Sequence, residues 1–478
     1  MGDNNKKEVS TSSQALKAGI WYTICNFLFR GMAFITTPIF ARLLTKSEMG
    51  MFTNYSSWIT ILTVITAMDL QTSIIRSKLE YEDDIDSYIY SILSFTSMVT
   101  LLLYGIVFLF QGYFVRFFGV EMKYINIMFL YLFATPAYQM LITKHRAFYK
   151  YKSFVVLTGI AVISSTFLSL IMVLLMENNF AGRVWGFYFP YIIIGLVIYV
   201  LIVKKGKKIK IKYWKYACTI CVPLIPHLLS FYLLDTSDKI LITQISGSTY
   251  TAIYSIAYSC FHIVTILLDS MNKAWAPWLL ENLHSENYMK IKEASKKYIS
   301  IFVILVVFIL MFVPEFIFIL GGKEYIMGRY CLPPLVTSCV FQFIYTMYVN
   351  VEFYKKKTGG VAIATTIAAI LNVILNLIFI PMSPQYGYII AAYTTLVGYV
   401  VLFILHFYLV KRMKMAFVYD IKFIIFVIII TLLISGIMNI LYSFYLLRYG
   451  IIICYILLIL SLLYKNRKQI MKVIGKSR

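Results

Sequence analysis

Runs of about twenty apolar residues recur from residue 16 to residue 464, and they constrain the fold of this chain more than any other feature. A transmembrane helix needs about 20 consecutive apolar residues, whereas a transmembrane barrel is built from short strands of alternating hydrophobicity. Of the 478 residues, 60% are hydrophobic and 14% are charged, against about 25% charged residues in a soluble globular domain. The sequence therefore predicts an all-α polytopic membrane protein.

The apolar runs predict about fourteen transmembrane helices. They lie near residues 16–41, 50–73, 88–112, 123–142, 154–176, 184–203, 217–246, 250–275, 298–320, 328–350, 359–380, 387–410, 421–442 and 448–464. A basic segment at 204–216 separates the first six runs from the next six. We expect three parts: an N-terminal six-helix bundle over residues 1–215, a C-terminal six-helix bundle over 216–415, and two additional helices with a basic tail over 416–478.

The two predicted bundles resemble each other weakly in sequence. Residues 41–62 can be laid over residues 243–264, so that Gly50 corresponds to Ala252. The first helix of each bundle starts from the same side of the membrane, so the repeat is predicted to be parallel rather than inverted.

The positive charge indicates how the chain is threaded through the membrane. The net charge is +23, which in a soluble protein would point to nucleic acid. However, 33 of the 44 Lys and Arg residues lie in the two tails and in alternate connections, and only 8 lie in the other connections. By the positive-inside rule, we expect both termini in the cytoplasm and no nucleic-acid partner.

The segment from Pro223 to Gly247 carries Asp235, Asp238 and Lys239 inside an apolar run. Each charge at the centre of a membrane helix costs about 2.5–3.5 kcal/mol on insertion scales. Their i, i+3 and i+4 spacing places the three on one helical face. Because one Lys cannot neutralise two Asp, we expect this face to line a polar cavity; an ion pair inside the bundle is the alternative. Prolines at positions 223 and 226 predict a bend before the first charge.

Two further helices carry polar stripes. In the first span, Asn26 and Arg30 share a face, and Arg30 requires an anion, a cavity or a structural partner such as Asp69. The eighth span carries a stripe whose members fall within about 80° of one another on a helical wheel: Ser255, Ser259, His262, Asp269 and Lys273. We expect this stripe to line an aqueous path, with packing against another helix as the alternative.

Metal and nucleotide chemistry lack a sequence signal. The seven cysteines and five histidines show no ligand spacing, so we expect no metal and no cofactor. The chain has no G-x-x-x-x-G-K-[ST] segment, which makes ATP a poor candidate for a direct driver. We expect transport to use an H⁺ or Na⁺ gradient, with Asp235 or Asp238 as the coupling site, Asp69 as the next candidate, and Asp269 held by Lys273 in a structural pair.

Several segments carry a resemblance to a known family: ARLLTKSEMGMF at 41–52, PLIPHLL at 223–229, DTSDKILI at 235–242, TAIYSIAYS at 251–259 and NKAWAPWL at 272–279. They resemble the bacterial oligosaccharide flippases of the polysaccharide-biosynthesis family, in the multidrug/oligosaccharidyl-lipid/polysaccharide exporter superfamily. The likeness covers nearly the whole chain. It implies a multi-pass protein of the bacterial cytoplasmic membrane, with two six-helix bundles forming a V around a central cavity that faces each side in turn.

The resemblance also implies a non-enzymatic flippase for surface polysaccharide biosynthesis, whose substrate is a lipid-diphosphate-linked oligosaccharide. On this interpretation the substrate-binding residues are Arg30, Asn26, Lys239, Lys273, His262 and Ser259. We expect a monomer in the lipid bilayer, and other glycan-assembly membrane proteins are compatible partners. One alternative is an ion-coupled drug or cation antiporter, which needs a protonatable carboxylate in a mainly apolar pocket. A membrane glycan polymerase or ligase, the other alternative, needs a long external loop.

Overall fold

The computed structural model describes residues 18–467, except residues 20, 23, 24, 26, 27, 30, 33, 358 and 466. The described residues form helices and no strand. The helices are α1 (Phe34–Leu43), α2 (Lys46–Ala67), α3 (Ser73–Glu80), α4 (Ile85–Leu109), α5 (Gln111–Phe118), α6 (Met122–Ala147), α7 (Tyr151–Leu175), α8 (Asn179–Gly206), α9 (Ile211–Cys221), α10 (Ile225–Ile245), α11 (Ser248–His284), α12 (Tyr288–Met311), α13 (Val313–Gly321), α14 (Leu332–Tyr354), α15 (Gly359–Met382), α16 (Gly387–Arg412), α17 (Ile421–Leu441) and α18 (Tyr445–Lys465).

The number of apolar helices agrees with the sequence. Within the described residues, eleven helices are long and apolar enough to cross a membrane, and α2 and α3 form one more such span if they are counted together across a 55° bend. Two shorter apolar helices, Phe34–Leu43 and Tyr445–Ser461, lie where the first and last spans are predicted. The described residues thus contain eleven or twelve candidate spans of the fourteen predicted, and the predicted all-helical class is confirmed.

Buried side chains form separate hydrophobic clusters in the two halves of the molecule. The clusters of the N-terminal half draw on α2, α4, α6 and α8, with Tyr55 and Tyr88 among their fully buried members. The largest cluster belongs to α10–α17 of the C-terminal half. Helices α17 and α18 pack on that half, where the Arg448 guanidinium bonds the Glu315 carboxylate of α13. The sequence predicts no buried charge in these last helices, but Arg448 is only 3% exposed.

The helix that links the halves is interrupted where the prolines predict a bend, and the bend itself stays a prediction. Helix α9 ends at Cys221, a 3₁₀ turn covers Val222–Leu224, and α10 begins at Ile225. A proline within this turn and another just after it remove backbone donors, which accounts for the interruption. Helix α9 packs on the N-terminal half: the Tyr213 hydroxyl bonds the Asp84 carboxylate, and the Trp214 indole donates to the Ser91 carbonyl at 2.6 Å. The predicted boundary at residue 215 therefore falls inside a helix, and the division into three parts stays a prediction.

The two halves touch where α2 and α11 begin, and we call this end of the molecule the closed end. Thr45 caps α2 in a capping box with Glu48, and the hydroxyls of Ser47 and Ser248 lie 2.9 Å apart. A Cβ on Gly50 would lie 1.7 Å from the Ser248 carbonyl oxygen, so only glycine permits this approach. Further contacts of the same end join the Arg42 guanidinium to the Ile319 carbonyl, Lys46 to Glu324, and Gln244 to the Phe117 carbonyl.

Lysine-rich segments mark the other end of the molecule, which we call the basic end. It comprises residues 204–215, 290–297, 355–357 and 411–414. Helix α11 runs from the closed end towards the basic end over 37 residues. The side chains of Arg42, Lys46 and Ser47 join α1 and α2 to the C-terminal half at the closed end.

Candidate functional site

A central cavity lies between the halves and consists of two adjoining chambers. The first chamber has a volume of about 450 Å³ and is lined by both halves. The second chamber, of about 530 Å³, is lined mainly by α11 and α14, with smaller contributions from α1 and α10 and with Tyr399 of α16. Thr37, Asp235, Ser259 and His262 line both chambers and so mark the place where they join.

Hydroxyl groups from both halves line the first chamber. They belong to Thr36, Thr37, Thr53, Ser56, Ser57, Thr60, Ser165, Thr166, Thr236, Ser255 and Ser259. Several donate to carbonyls of their own helix, as Thr53 does to Met49 at 2.9 Å and Thr60 to Ser56 at 2.9 Å. A hydroxyl whose proton is used in this way still has a lone pair for an incoming donor. The chamber wall can therefore accept hydrogen bonds from a polyhydroxylated ligand.

Lys239 and Asp235 face the first chamber from α10, as the sequence predicts. The Lys239 ammonium donates to the Asp235 carbonyl oxygen at 3.1 Å and lies 4.0 Å from the centre of the Tyr258 ring. The Tyr258 hydroxyl donates to the Asp235 carboxylate at 2.7 Å. Among the described residues, no carboxylate oxygen lies within 4.0 Å of the Lys239 ammonium. The alternative prediction, in which Lys239 forms an ion pair inside the bundle, is therefore wrong.

Arg183 also faces the first chamber, and sequence reasoning missed it. It was assigned to a short connection, but Asn178 caps α8 and places Arg183 one turn inside that helix. Its side chain is 9% exposed and rests on Phe40 at 3.5 Å and Phe52 at 4.5 Å from the ring centres. It donates to the Ser169 hydroxyl at 2.6 Å, and its Nε has no partner within the described residues. The capping asparagine is the sequence signal that locates this arginine inside the membrane helix.

Asp238 does not line the cavity, which corrects the prediction that it shares a face with Lys239. Residues i and i+1 on a helix are 100° apart, so Asp235 lies between the directions of Asp238 and Lys239. Asp238 points into the C-terminal half and is 0% exposed. Its carboxylate accepts hydrogen bonds from three neutral groups: the Tyr254 hydroxyl at 2.5 Å, the Asn376 amide at 2.6 Å and the Thr395 hydroxyl at 2.5 Å.

The predicted polar stripe of α11 reaches the cavity only in part. Ser255, Ser259 and His262 line the first chamber, and Asp269 lines the second. Lys273 is exposed and lines neither chamber. Asp269 and Lys273 do not approach within 4.0 Å of each other, so the predicted structural pair is wrong. The stripe continues past the cavity along α11, which is 37 residues long.

Three predicted site residues lie elsewhere. Asn26 and Arg30 fall outside the described residues, and their roles stay predictions. Asp69 is not inside a helix: it has a φ of 50° at the bend between α2 and α3. Its carboxylate accepts hydrogen bonds from the Gln71 amide at 2.5 Å and the Thr72 hydroxyl at 2.6 Å. Across the described part of the chain, no group of three or more His, Cys, Asp or Glu residues could hold a metal ion.

The fold and the cavity together define a polytopic helical protein with a central cavity between its two halves. A family model described as polysaccharide biosynthesis protein matches residues 15–283. This match covers more than half of the chain, and the chain belongs to this family.

Solved structures share the fold. A lipid II flippase MurJ in an inward closed conformation has a TM-score of 0.65 at 16% sequence identity, covering 94% of this chain and 99% of that one. An inward-facing multidrug resistance MATE family transporter of the MOP superfamily has a TM-score of 0.57 at 14% identity, covering 83% and 99%. The predicted MATE-like architecture is therefore confirmed.

A curated relative matches part of the sequence. The Lsg locus putative protein 1 of Haemophilus influenzae is 23% identical over 175 residues, or 35% of this chain. The alignment spans 43% of that relative, less than half of its length.

Proposed function

We propose that this protein is a flippase that moves a lipid-diphosphate-linked oligosaccharide from the cytoplasmic to the external leaflet of the bacterial cytoplasmic membrane, for surface polysaccharide biosynthesis. One observation carries the proposal. Arg183 and Lys239 face one chamber inside the membrane, and neither has a carboxylate within 4.0 Å among the described residues. A diphosphate is the part of such a substrate that would pair with them.

The energetics favour an anionic ligand. Keeping a charge inside a membrane protein without an ionic partner is costly, and contact with aromatic faces offsets only about 0.5–2 kcal/mol of that cost. At an effective dielectric near 20, one ion pair at 4 Å contributes about 4 kcal/mol before desolvation. Bound diphosphate would thus stabilise both cations at once, while the hydroxyl-lined wall would accept hydrogen bonds from the sugars.

The orientation follows from the charge asymmetry. We assign the basic end to the cytoplasm, with both termini on that side. The contacts that join the halves lie at the closed end, so this conformation would load substrate from the cytoplasmic leaflet. The polyprenyl tail would stay in lipid, because only the polar head needs shelter from hydrocarbon.

The two alternatives fit this chamber less well. A cation antiporter would have to bring a positive substrate beside Arg183 and Lys239, where like charges repel. A glycan polymerase or ligase needs a large external domain, and the connections at the closed end are short helices such as α5 and α13. We therefore propose transport without covalent chemistry.

The test is flipping of a fluorescent polyprenyl-diphosphate oligosaccharide in reconstituted vesicles. Arg183→Gln and Lys239→Gln keep polar side chains of similar length but remove the charges. We expect each to slow flipping at least about tenfold, which corresponds to about 1.4 kcal/mol of lost stabilisation. Arg76→Gln, which removes an arginine that is 67% exposed, is the matched control and should leave flipping unchanged.

Equal flipping by wild type and both chamber variants, at equal protein levels, would show that these cations do not bind the substrate. Failure of the wild-type protein to move any diphosphate-linked glycan, with transport of an organic cation instead, would favour the antiporter.

A further inference from the structure

A carboxylate and an imidazole are buried together in the C-terminal half, outside the cavity. Glu352 of α14 and His406 of α16 are both 0% exposed, and the Glu352 Oε1 atom lies 2.7 Å from His406 Nδ1. In every other ion pair of the described residues, at least one side chain is 21% or more exposed. This is therefore the most deeply buried ion pair among the described residues.

Each side chain of the pair has one polar atom without a hydrogen-bond partner. Glu352 Oε2 and His406 Nε2 have no hydrogen-bond partner within the described residues. A buried polar atom without a partner lowers stability, so a pair kept only for packing would be expected to satisfy both atoms. A Cβ on Gly360 would lie 3.7 Å from Glu352 Oε2, which places this oxygen beside the first turn of α15. The positive end of that helix favours a negative charge there.

One aromatic ring separates the imidazole from the cavity. The Tyr345 ring stacks on the His406 ring at 5.3 Å between centres, with 15° between their planes. Tyr345 also lines the second chamber, together with Asp269 and Tyr399. The Tyr345 ring therefore lies between the imidazole and the chamber, and its movement would open a route for water to the imidazole.

In the described part of the chain, few titratable groups lie near the pair. Tyr345 of α14 stacks on the imidazole, α11 faces Tyr345 with Asp269, and Lys357, just after α14, donates its backbone N–H to the Glu352 carbonyl. The Tyr419 hydroxyl, just before α17, bonds the Met347 carbonyl, and α15 has no titratable side chain. Within the described residues, no lysine or arginine forms an ion pair with Glu352.

We propose that Glu352 and His406 form a proton-binding site that exchanges with the second chamber past the Tyr345 ring. With one proton the pair is neutral overall, either as imidazolium beside carboxylate or as imidazole beside carboxylic acid. Loss of that proton leaves a net negative charge in the packed bundle, and gain of a second proton leaves a net positive charge. Both charged forms are disfavoured by burial, so they favour a conformation in which the pair contacts water.

The consequence for transport rests on the proposed function. Helices α14 and α16 carry the pair and also line the second chamber. A proton that leaves or joins the pair would change how these two helices pack, and flipping would then depend on pH. This site is distinct from Asp238, whose partners Tyr254, Asn376 and Thr395 form a separate network.

The direct test measures proton binding by His406 and needs no transport assay. The full chain, labelled with ¹⁵N-histidine in lipid nanodiscs, is titrated between about pH 5 and pH 9, around the range in which imidazole ordinarily titrates. His406→Gln assigns the signal among the five histidines. We expect the His406 signal to change with pH in wild type, and the midpoint to move in Glu352→Gln, which keeps the shape of the side chain and removes its charge. His284→Gln, which removes an exposed histidine, is the matched control and should not move the His406 signal.

A second arm measures flipping at several pH values. We expect wild-type flipping to vary at least about threefold between about pH 6 and pH 8, and this variation to flatten in Glu352→Gln. An His406 signal that stays constant over the whole range in wild type would overturn the proposal, and this measurement needs no variant to fold. A signal that titrates in a protein that flips no glycan would leave the proton site standing and refute the proposed function instead.

Discussion

At the scale of single residues, the direction of each side chain decides its role more than its position in the sequence does. Asp235, Asp238 and Lys239 are neighbours along α10, yet the first and last face the cavity while Asp238 is enclosed by Tyr254, Asn376 and Thr395. Asp235 lies one turn from a cation, whereas Asp238 accepts hydrogen bonds from neutral donors alone. We therefore propose Asp238 as the carboxylate that binds a coupling ion, because an H⁺ or Na⁺ would neutralise it.

Replacement of Asp238 tests this assignment. In vesicles, flipping is measured with and without an imposed H⁺ or Na⁺ gradient, in wild type, Asp238→Asn and Asp235→Asn. We expect wild type to flip faster with one of the gradients, and Asp238→Asn to lose that acceleration because its neutral amide has no charge for either ion to neutralise. Asp235→Asn should keep the ratio of rates with and without the gradient.

If wild-type flipping ignores both gradients, no ion is coupled, and Asp238 serves only the packing of α10 against α15 and α16. Equal acceleration in wild type and in both variants would place the coupling site elsewhere.

At the scale of elements, the contact between α2 and α11 holds the closed end together. These two helices begin at corresponding positions of the weak sequence repeat. They meet where Gly50 faces the Ser248 backbone. The capping box at Thr45 fixes the first turn of α2 at this point. Any side chain larger than hydrogen at position 50 must push the two helices apart.

Gly50→Ala is therefore expected to weaken the closed end. Ser47→Cys and Ser248→Cys, placed where the two hydroxyls lie 2.9 Å apart, should cross-link readily in a background without native cysteines. We expect Gly50→Ala in that background to slow cross-linking at least about threefold. Gly105→Ala is the control, since no atom lies within 4 Å of a Cβ at that position. Unchanged cross-linking in Gly50→Ala would mean that the helices adjust without separating.

The sequence predicts helices well and their mutual rotation poorly. Apolar run length predicted the spans, and Pro223 and Pro226 predicted the break before α10, because both are local properties. Which face of α10 meets the cavity depends on packing against helices far along the chain, so Asp238 was placed on the wrong side. Glu352 and His406 are 54 residues apart, and no periodicity within either helix indicates that they meet. Arg183 was missed because a span boundary set by hydropathy alone fell one turn too late.

At the scale of the whole molecule, the uneven distribution of lysine and arginine is the basis of the proposed orientation in the membrane. The basic end gathers lysines from residues 204–215, 290–297, 355–357 and 411–414. A negative inner leaflet attracts such segments by about 1 kcal/mol per basic residue near its surface. This supports the proposed cytoplasmic placement of the basic end.

Labelling of Lys208→Cys tests the orientation. In intact cells, an impermeant thiol reagent should fail to modify a cysteine at this position and should modify it after permeabilisation, because the loop would lie inside. Lys323→Cys, in the connection after α13, is the matched position at the closed end and should react in intact cells. Efficient labelling of Lys208→Cys from outside would contradict the proposed orientation and place the basic end outside the cell.

The short 3₁₀ turn at Val222–Leu224 would let α10 swivel about its end at the basic end of the molecule. Helix α9 is held to the N-terminal half by side-chain hydrogen bonds, so such a swivel would leave α9 in place. The 21 residues of α10 give it a length of roughly 31 Å, so each 10° of swivel would carry its far tip about 5 Å. A small rotation at one membrane surface would thus part the helices at the other, while the covalent link hardly lengthens.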